Sequence, residues 1–262
     1  MLWTEKYRPT KLMHVVGQSN FVLDAEHWVT NQEMPNVLLY GVAGVGKTAA
    51  GLSLANDMLG DDVKANFFEI NASDDRKLET VRTRIKEIAS TSKIGEAPFK
   101  IILLDEMDGM TRDAQNALKR IMERYADNCR FIITCNDRHK IIHPLISRCA
   151  NYSFKRLNND AIRNVIFDVL EKERVTHISE EDLEIFIGSL HGDLRRGLTE
   201  LQAAVSSKSS LLNMIDKQLM PYTELLELVN NNEYTNAVEK VHNLLYDSVE
   251  MKAICVGLHD TI

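Results

Sequence analysis

Two kinds of hydrophobic pattern divide this chain. Up to about Phe154, short and nearly continuous apolar runs (Val37 to Tyr40, Asn66 to Ile70, Lys100 to Leu104 and Arg130 to Thr134) alternate with stretches whose apolar residues recur at helical spacing. Continuous apolar strands separated by amphipathic helices predict a parallel sheet covered on both faces, since a strand alternates with polar residues only where one face meets water. Beyond Lys155 the strand pattern stops. Asp160 to Glu171, Ser179 to Leu190 and Asp193 to Val205 predict helices, with Gly188 and the His191-Gly192 pair near their breaks. The serine-rich stretch Ser206-Ser207-Lys208-Ser209-Ser210 is the expected flexible joint, and Pro221 to Asn230 and Glu233 to Tyr246 predict two further helices.

The loop after the first apolar run carries the chemistry. Gly41-Val42-Ala43-Gly44-Val45-Gly46-Lys47-Thr48 is a Gly-x4-Gly-Lys-Thr loop between the strand Asn36 to Tyr40 and a helix expected over Thr48 to Leu59. In that context successive backbone N–H groups can cradle a phosphate, Lys47 can reach β- and γ-oxygens, and the Thr48 hydroxyl can ligate Mg²⁺. The helix N-terminus adds its dipole to the same anion site.

Composition sets the frame for that site. A 262-residue chain with 44% hydrophobic residues can fill real cores. No run approaches the roughly 18 apolar residues of a membrane span, and the N-terminus lacks the apolar core of a signal peptide, so a soluble intracellular protein is expected. Cys129, Cys135, Cys149 and Cys255 have no Cys-x2-Cys spacing, so reduced thiols are expected rather than zinc or disulfides. The formal charge of −7 argues weakly against nucleic acid, although distribution matters more than the sum.

Further candidates lie where the strands end. Asp105 and Glu106 close the run from Ile101 to Leu104, which puts both carboxylates at the carboxyl edge of a parallel sheet beside the phosphate loop. Asp105 can hold Mg²⁺ and Glu106 can orient or deprotonate a water, while an acidic pair at this point can also simply start a helix. Asn136, after Phe131 to Thr134, can bond a γ-phosphate or a water, or act as a turn residue. Arg148, in Ser147-Arg148-Cys149, can pair with an internal carboxylate, face solvent, or reach a neighbouring subunit's nucleotide. Arg195 and Arg196 fall in the first turn of a helix, where the dipole disfavours cations, which suggests that a γ-phosphate recruits Arg195; a solvated pair is the alternative.

Two segments are basic. Arg76, Lys77, Arg82, Arg84 and Lys86 accompany a stripe of Leu78, Val81, Ile85 and Ile88, and Arg112, Lys119 and Arg120 lie across from Ala114, Ala117, Leu118, Ile121, Met122 and Tyr125. Such faces suit phosphate contacts, and they equally suit plain solvation.

Taken in order, several motifs resemble one family. They are Trp3-Thr4-Glu5-Lys6-Tyr7-Arg8-Pro9, Val16-Gly17-Gln18, the phosphate loop, Glu69-Ile70-Asn71-Ala72-Ser73-Asp74-Asp75-Arg76, Asp105-Glu106-Met107-Asp108, Ala114 to Arg120, Ser147-Arg148-Cys149 and Gly192-Asp193-Leu194-Arg195. This sequence resembles the small subunits of replication factor C, the archaeal and eukaryotic sliding-clamp loader, within the AAA+ ATPases. The resemblance covers residues 2 to 205 and extends more loosely to about 250.

It implies an α/β fold: an AAA+ P-loop parallel sheet with helices on both faces over residues 1–155, a three-helix lid over 156–210, and a partial all-helical collar over 211–262. It also implies a subunit of a pentameric ring that binds ATP with Mg²⁺ and opens a sliding clamp. The ring places the clamp on primer-template DNA alongside a large subunit and other small subunits, then hydrolyses ATP and releases. No membrane partner is implied, and the location would be cytoplasmic in an archaeon or nuclear in a eukaryote.

By position, Lys47 and Thr48 bind phosphates and Mg²⁺, and the loop residues Gly41, Val42, Ala43, Gly44, Val45 and Gly46 complete the cradle. Asp105 and Glu106 supply metal binding and water activation, Asn136 is sensor 1, Arg148 acts in trans, and Arg195 is sensor 2. Thr4, Arg8 and Val16 line the adenine pocket, and Arg82, Arg84, Lys119 and Arg120 face the duplex. Val42, Ala43 and Val45 stand where the family usually has prolines and a threonine, and Met107 stands for its usual alanine. The collar is expected to be incomplete at Ile262. Competing readings are another AAA+ machine on DNA, such as a helicase loader or a branch-migration motor, and a scaffold that binds nucleotide without turnover.

Overall fold

The computed structural model describes residues 1–72, 78–207, 211, 222, 224–246 and 258, with side chains described except at 78–82, 245 and 246. Five strands, β1 (Asn36–Tyr40), β2 (Phe67–Asn71), β3 (Lys100–Asp105), β4 (Cys129–Cys135) and β5 (Cys149–Ser153), form one sheet in the order β2-β3-β4-β1-β5. Every pairing is parallel.

Alternation within the apolar runs splits their side chains between two cores. Val37, Leu39, Ile101, Leu103 and Ile132 point to one face, where they meet α2 (Ser19–Asn31) and α3 (Lys47–Leu59) through Phe21, Ala25, Ala50, Leu54 and Met58. Leu38, Ile102, Leu104, Phe131 and Ile133 point to the other. There they meet α5 (Leu78–Ser90) through Ile85 and Ala89, and α6 (Arg112–Arg124) through Leu118, Ile121 and Met122. Each of these buried aliphatic side chains contributes about 1.5–3 kcal/mol relative to exposure, so the three central strands set the register of the whole sheet. Two short helices, α1 (Trp3–Lys6) and α4 (Val63–Asn66), precede β1 and β2, and α7 (His143–Ile146) precedes β5.

The fifth strand was not foreseen from the hydrophobic pattern. Its sequence, Cys-Ala-Asn-Tyr-Ser, contains no fully buried residue, because β5 is an edge strand paired only with β1. Within α6 the expected apolar stripe is present at Ala114, Leu118, Ile121 and Met122, and it also includes Gln115, which is 1% exposed.

By contact density the chain forms two compact units, one of Met1–Ile162 with Gly192–Arg196 and one of Arg163–His191 with Gly197–Ile262. The second unit contains α9 (Glu180–Ser189) and most of α8 (Asn159–Lys172) and α10 (Leu194–Ser207), followed by α11 (residues 224–230) and α12 (Tyr234–Tyr246). Ser179 caps α9 by accepting from the Asp182 N–H at 3.1 Å. Gly197 lets α10 approach Leu190, whose Cδ1 would lie 2.6 Å from any added Cβ. Leu225 and Ala237 centre a smaller cluster with Leu228, Val241 and Leu244. The serine joint from Lys208 to Ser210 and the segment Ser73 to Lys77 lie outside the described residues, as does Pro221 at the start of its expected helix. Among the described residues, no helix is long and apolar enough to cross a membrane.

Candidate nucleotide site

Sheet topology creates the site before any side chain is considered. Strand β1 has β4 on one side and β5 on the other, so the loop leaving β1 opens into a crevice at the carboxyl edge, where parallel α/β sheets bind ligands. The loop glycines Gly41, Gly44 and Gly46 have φ of 150°, 79° and 89°, values that side chains resist and that curl the backbone N–H groups inward.

Lys47, the first residue of α3, is 8% exposed. Its Nζ donates to the Gly41 carbonyl at 2.9 Å, the Val42 carbonyl at 2.8 Å and Asn136 Oδ1 at 2.9 Å. Lysine and asparagine come together here across 89 positions of sequence because β1 and β4 are neighbours in register. Burial pulls the Lys47 ammonium below its usual range, Asp105 and Asp108 oppose that shift, and Arg195 adds to it. Arg195, exposed on α10, therefore stands within electrostatic reach of the loop lysine.

One residue along, Thr48 Oγ1 donates to both carboxylate oxygens of Asp105, at 3.0 and 3.1 Å. Asp105 also accepts from the Thr134 hydroxyl, a partner that the sequence reading did not single out. Glu106 follows, exposed, with φ 53° and ψ 42°. A left-handed backbone at a long side chain is uncommon and carries strain, and the Glu106 N–H is held by Asp105 Oδ1 at 3.2 Å and Thr134 Oγ1 at 3.3 Å.

The N-terminal segment is tied onto α3. Leu12 N–H donates to Asp57 at 2.8 Å, Ser53 to the Pro9 carbonyl at 2.9 Å and Asn56 to the Thr10 carbonyl at 3.0 Å. Thr4, Arg8 and Val16 are half-buried, with the Arg8 guanidinium 3.7 Å from Glu5 and 4.0 Å from Glu69. After Val16 comes Gln18, 7% exposed, whose side chain donates to the Lys155 carbonyl at 2.9 Å and accepts from the Lys155 N–H at 3.3 Å. That two-way clamp, whose partner the sequence does not reveal, holds Gln18, two residues after Val16, against the segment leaving β5.

The remaining candidates lie elsewhere. Arg148 sits on the turn between α7 and β5, its Nε on Glu123 Oε1 at 2.9 Å and its Nη1 on the Pro144 carbonyl at 2.7 Å, with Nη2 also on Glu123. The structure thus places an internal carboxylate against it. Arg84 is exposed on α5 and Arg120 on α6, and these two helices pack side by side. Lys119 is half-buried rather than fully exposed, and the side chain of Arg82 lies outside the described residues. Gln115 links α6 to the segment entering α7: its Nε2 donates to the Met110 and Lys140 carbonyls, each at 3.0 Å, and its Oε1 accepts from the Ile142 N–H at 2.8 Å.

A five-stranded parallel sheet of this order, with a Gly-x4-Gly-Lys-Thr loop facing an acidic strand end and a polar residue on the next strand, defines an AAA-type ATPase. Residues 37–157 match the ATPase family associated with various cellular activities. The replication factor C small subunit of Methanococcus maripaludis is 39% identical over 251 residues, 94% of this chain and 79% of that protein. Its counterpart in Methanosarcina barkeri is 45% identical over 204 residues, 78% of this chain and 61% of that protein. The chain belongs to the replication factor C small-subunit family, and it is an ATPase. Among solved structures, the Thermotoga maritima RuvB Holliday junction branch migration motor aligns with a TM-score of 0.66, covering 87% of this chain and 80% of that one. At 14% identity that likeness concerns the fold alone.

Proposed function

We propose that this chain is an ATP-dependent clamp-loader subunit that helps open a sliding clamp and load it onto primer-template DNA, with hydrolysis releasing the loader. The observation that carries this reading is the pairing of Lys47 with Asn136 and of Thr48 with Asp105 at one sheet edge, in a chain with family relationship over most of its length.

Loop N–H groups, Lys47 and Arg195 bind the triphosphate, with Thr4, Arg8 and Val16 around the base. Asn136, hydrogen-bonded to Lys47, is poised to pass the state of the γ-phosphate into β4. Glu106 orients the attacking water and accepts its proton. The Thr48 hydroxyl and Asp105 carboxylate are hard oxygen donors of the kind that Mg²⁺ takes, so these residues fit that ion, which when bound neutralises charge on the β- and γ-oxygens. Arg148 acts on the nucleotide of an adjoining subunit, which makes hydrolysis conditional on assembly. Arg82, Arg84, Lys119 and Arg120 contact the duplex backbone.

In this reading residues 1–155 form the nucleotide-binding domain, 156–210 the lid and 211–262 part of the collar. The protein works inside the cell with a large subunit and other small subunits. ATP hydrolysis measured with clamp, primed DNA, both and neither tests the reading, and synergy between the two is expected. Full stimulation by duplex or junction DNA alone would favour a motor or a helicase loader instead.

A further inference from the structure

The strongest feature outside the roles assigned above is a carboxylate lying on the phosphate loop. Asp193 accepts the Arg196 N–H at 3.0 Å, which makes it the cap of α10. The same carboxylate lies directly against Gly44. A Cβ built on Gly44 would sit 2.1 Å from one Asp193 oxygen and 2.7 Å from the other, so the approach is possible only because residue 44 has no side chain. Gly44 is the middle glycine of the cradle, with φ of 79°. Capping does not require a charge, since asparagine and serine cap as well as aspartate. A negative group pressed onto a loop that gathers phosphates is therefore unexplained by the helix alone.

We infer that Asp193 is a positioning and affinity-setting residue of the nucleotide site: its charge opposes the triphosphate electrostatically, weakens nucleotide binding and biases the loop toward release. This inference rests on the reading of Gly41 to Thr48 as the nucleotide cradle. Because Asp193 caps the helix whose first turn holds Arg195, a carboxylate pushed off the loop carries the arginine with it. Repulsion grows with the charge of the ligand, so ATP is penalised more than ADP. Salt screens the effect where solvent reaches the cradle.

Isothermal titration of the full chain with ATPγS and with ADP tests it, comparing the wild type with Asp193→Asn and Asp193→Ser, both of which keep a capping oxygen. At about 0.05 M salt both variants are expected to bind ATPγS roughly tenfold more tightly than the wild type, and ADP with a smaller gain. At about 0.5 M salt the gain narrows. Equal or weaker ATPγS binding by both variants at low salt overturns the inference, as does a gain that salt leaves unchanged. A wild type that binds no ATPγS would instead remove the nucleotide-cradle reading itself, which separates the two failures.

Discussion

Replacing Arg148 with alanine separates stability from catalysis, because the two roles open to this side chain differ widely in size. Within the chain Arg148 holds Glu123 and the Pro144 carbonyl, and the two charged side chains are 37% and 47% exposed. Ion pairs this open to solvent contribute at most about 1 kcal/mol, which corresponds to a melting shift of roughly 2–4 °C for a chain of this size. An arginine supplied to a neighbour's phosphoryl group is worth about 10³–10⁵ in rate, or roughly 4–7 kcal/mol of activation free energy. The catalytic term is thus several times larger. Arg148→Ala is expected to melt almost with the wild type and to keep its nucleotide affinity, while steady-state phosphate release by the assembled complex with clamp and primed DNA falls steeply. Mixing it with Lys47→Ala subunits should restore turnover at interfaces where an intact arginine meets an intact cradle. A loss below about tenfold in a complex that still assembles would refute the reasoning. So would full-speed turnover by a demonstrably monomeric wild type.

Four other outcomes are expected. Gln115→Met removes three part-buried hydrogen bonds while keeping volume; a polar group left unsatisfied costs about 1–3 kcal/mol where water cannot reach it, so the melt should drop by several degrees, and an unchanged melt would deny the link between α6 and residues 140–142 structural weight. Lys47 has a folded-state pKa below its unfolded value of 10.5, so the unfolded chain binds more protons between the two and nucleotide-free stability should rise with pH there. Phosphates favour the ammonium, so ADP affinity should fall over the same alkaline window, and a flat affinity profile would contradict the buried, shifted lysine. Charge reversal at Arg84 and Lys119 should reduce DNA stimulation and flatten its salt dependence without changing turnover in the absence of DNA, as measured by hydrolysis across a salt series.

Much of the fold was legible because the central strands carry their burial in their composition. Val37 to Leu39 and Ile101 to Leu104 are apolar on both faces and could be nothing else in a chain with these helices between them. β5 was illegible for the converse reason: an edge strand needs no apolar run, and its pairing with β1 is a long-range fact. In the site, Lys47 was readable from its glycine-rich loop, and Asp105 and Asn136 from their places where strands end. Thr134, Gln18 and Asp193 were not, since each takes its meaning from a partner 29 to 149 positions away that only the folded sheet brings close. Gln115 did leave a trace. It occupies the apolar stripe of α6 between Ala114 and Leu118, and a polar residue on a buried face signals hydrogen bonds that sequence cannot locate.

The backbone at Glu106 has a wider consequence. A long acidic side chain in a left-handed conformation is a locally unfavourable choice that glycine or asparagine would relieve. The domain consequently gives up stability at the very residue assigned to handle water, so selection for thermal robustness alone would tend to erase the activity.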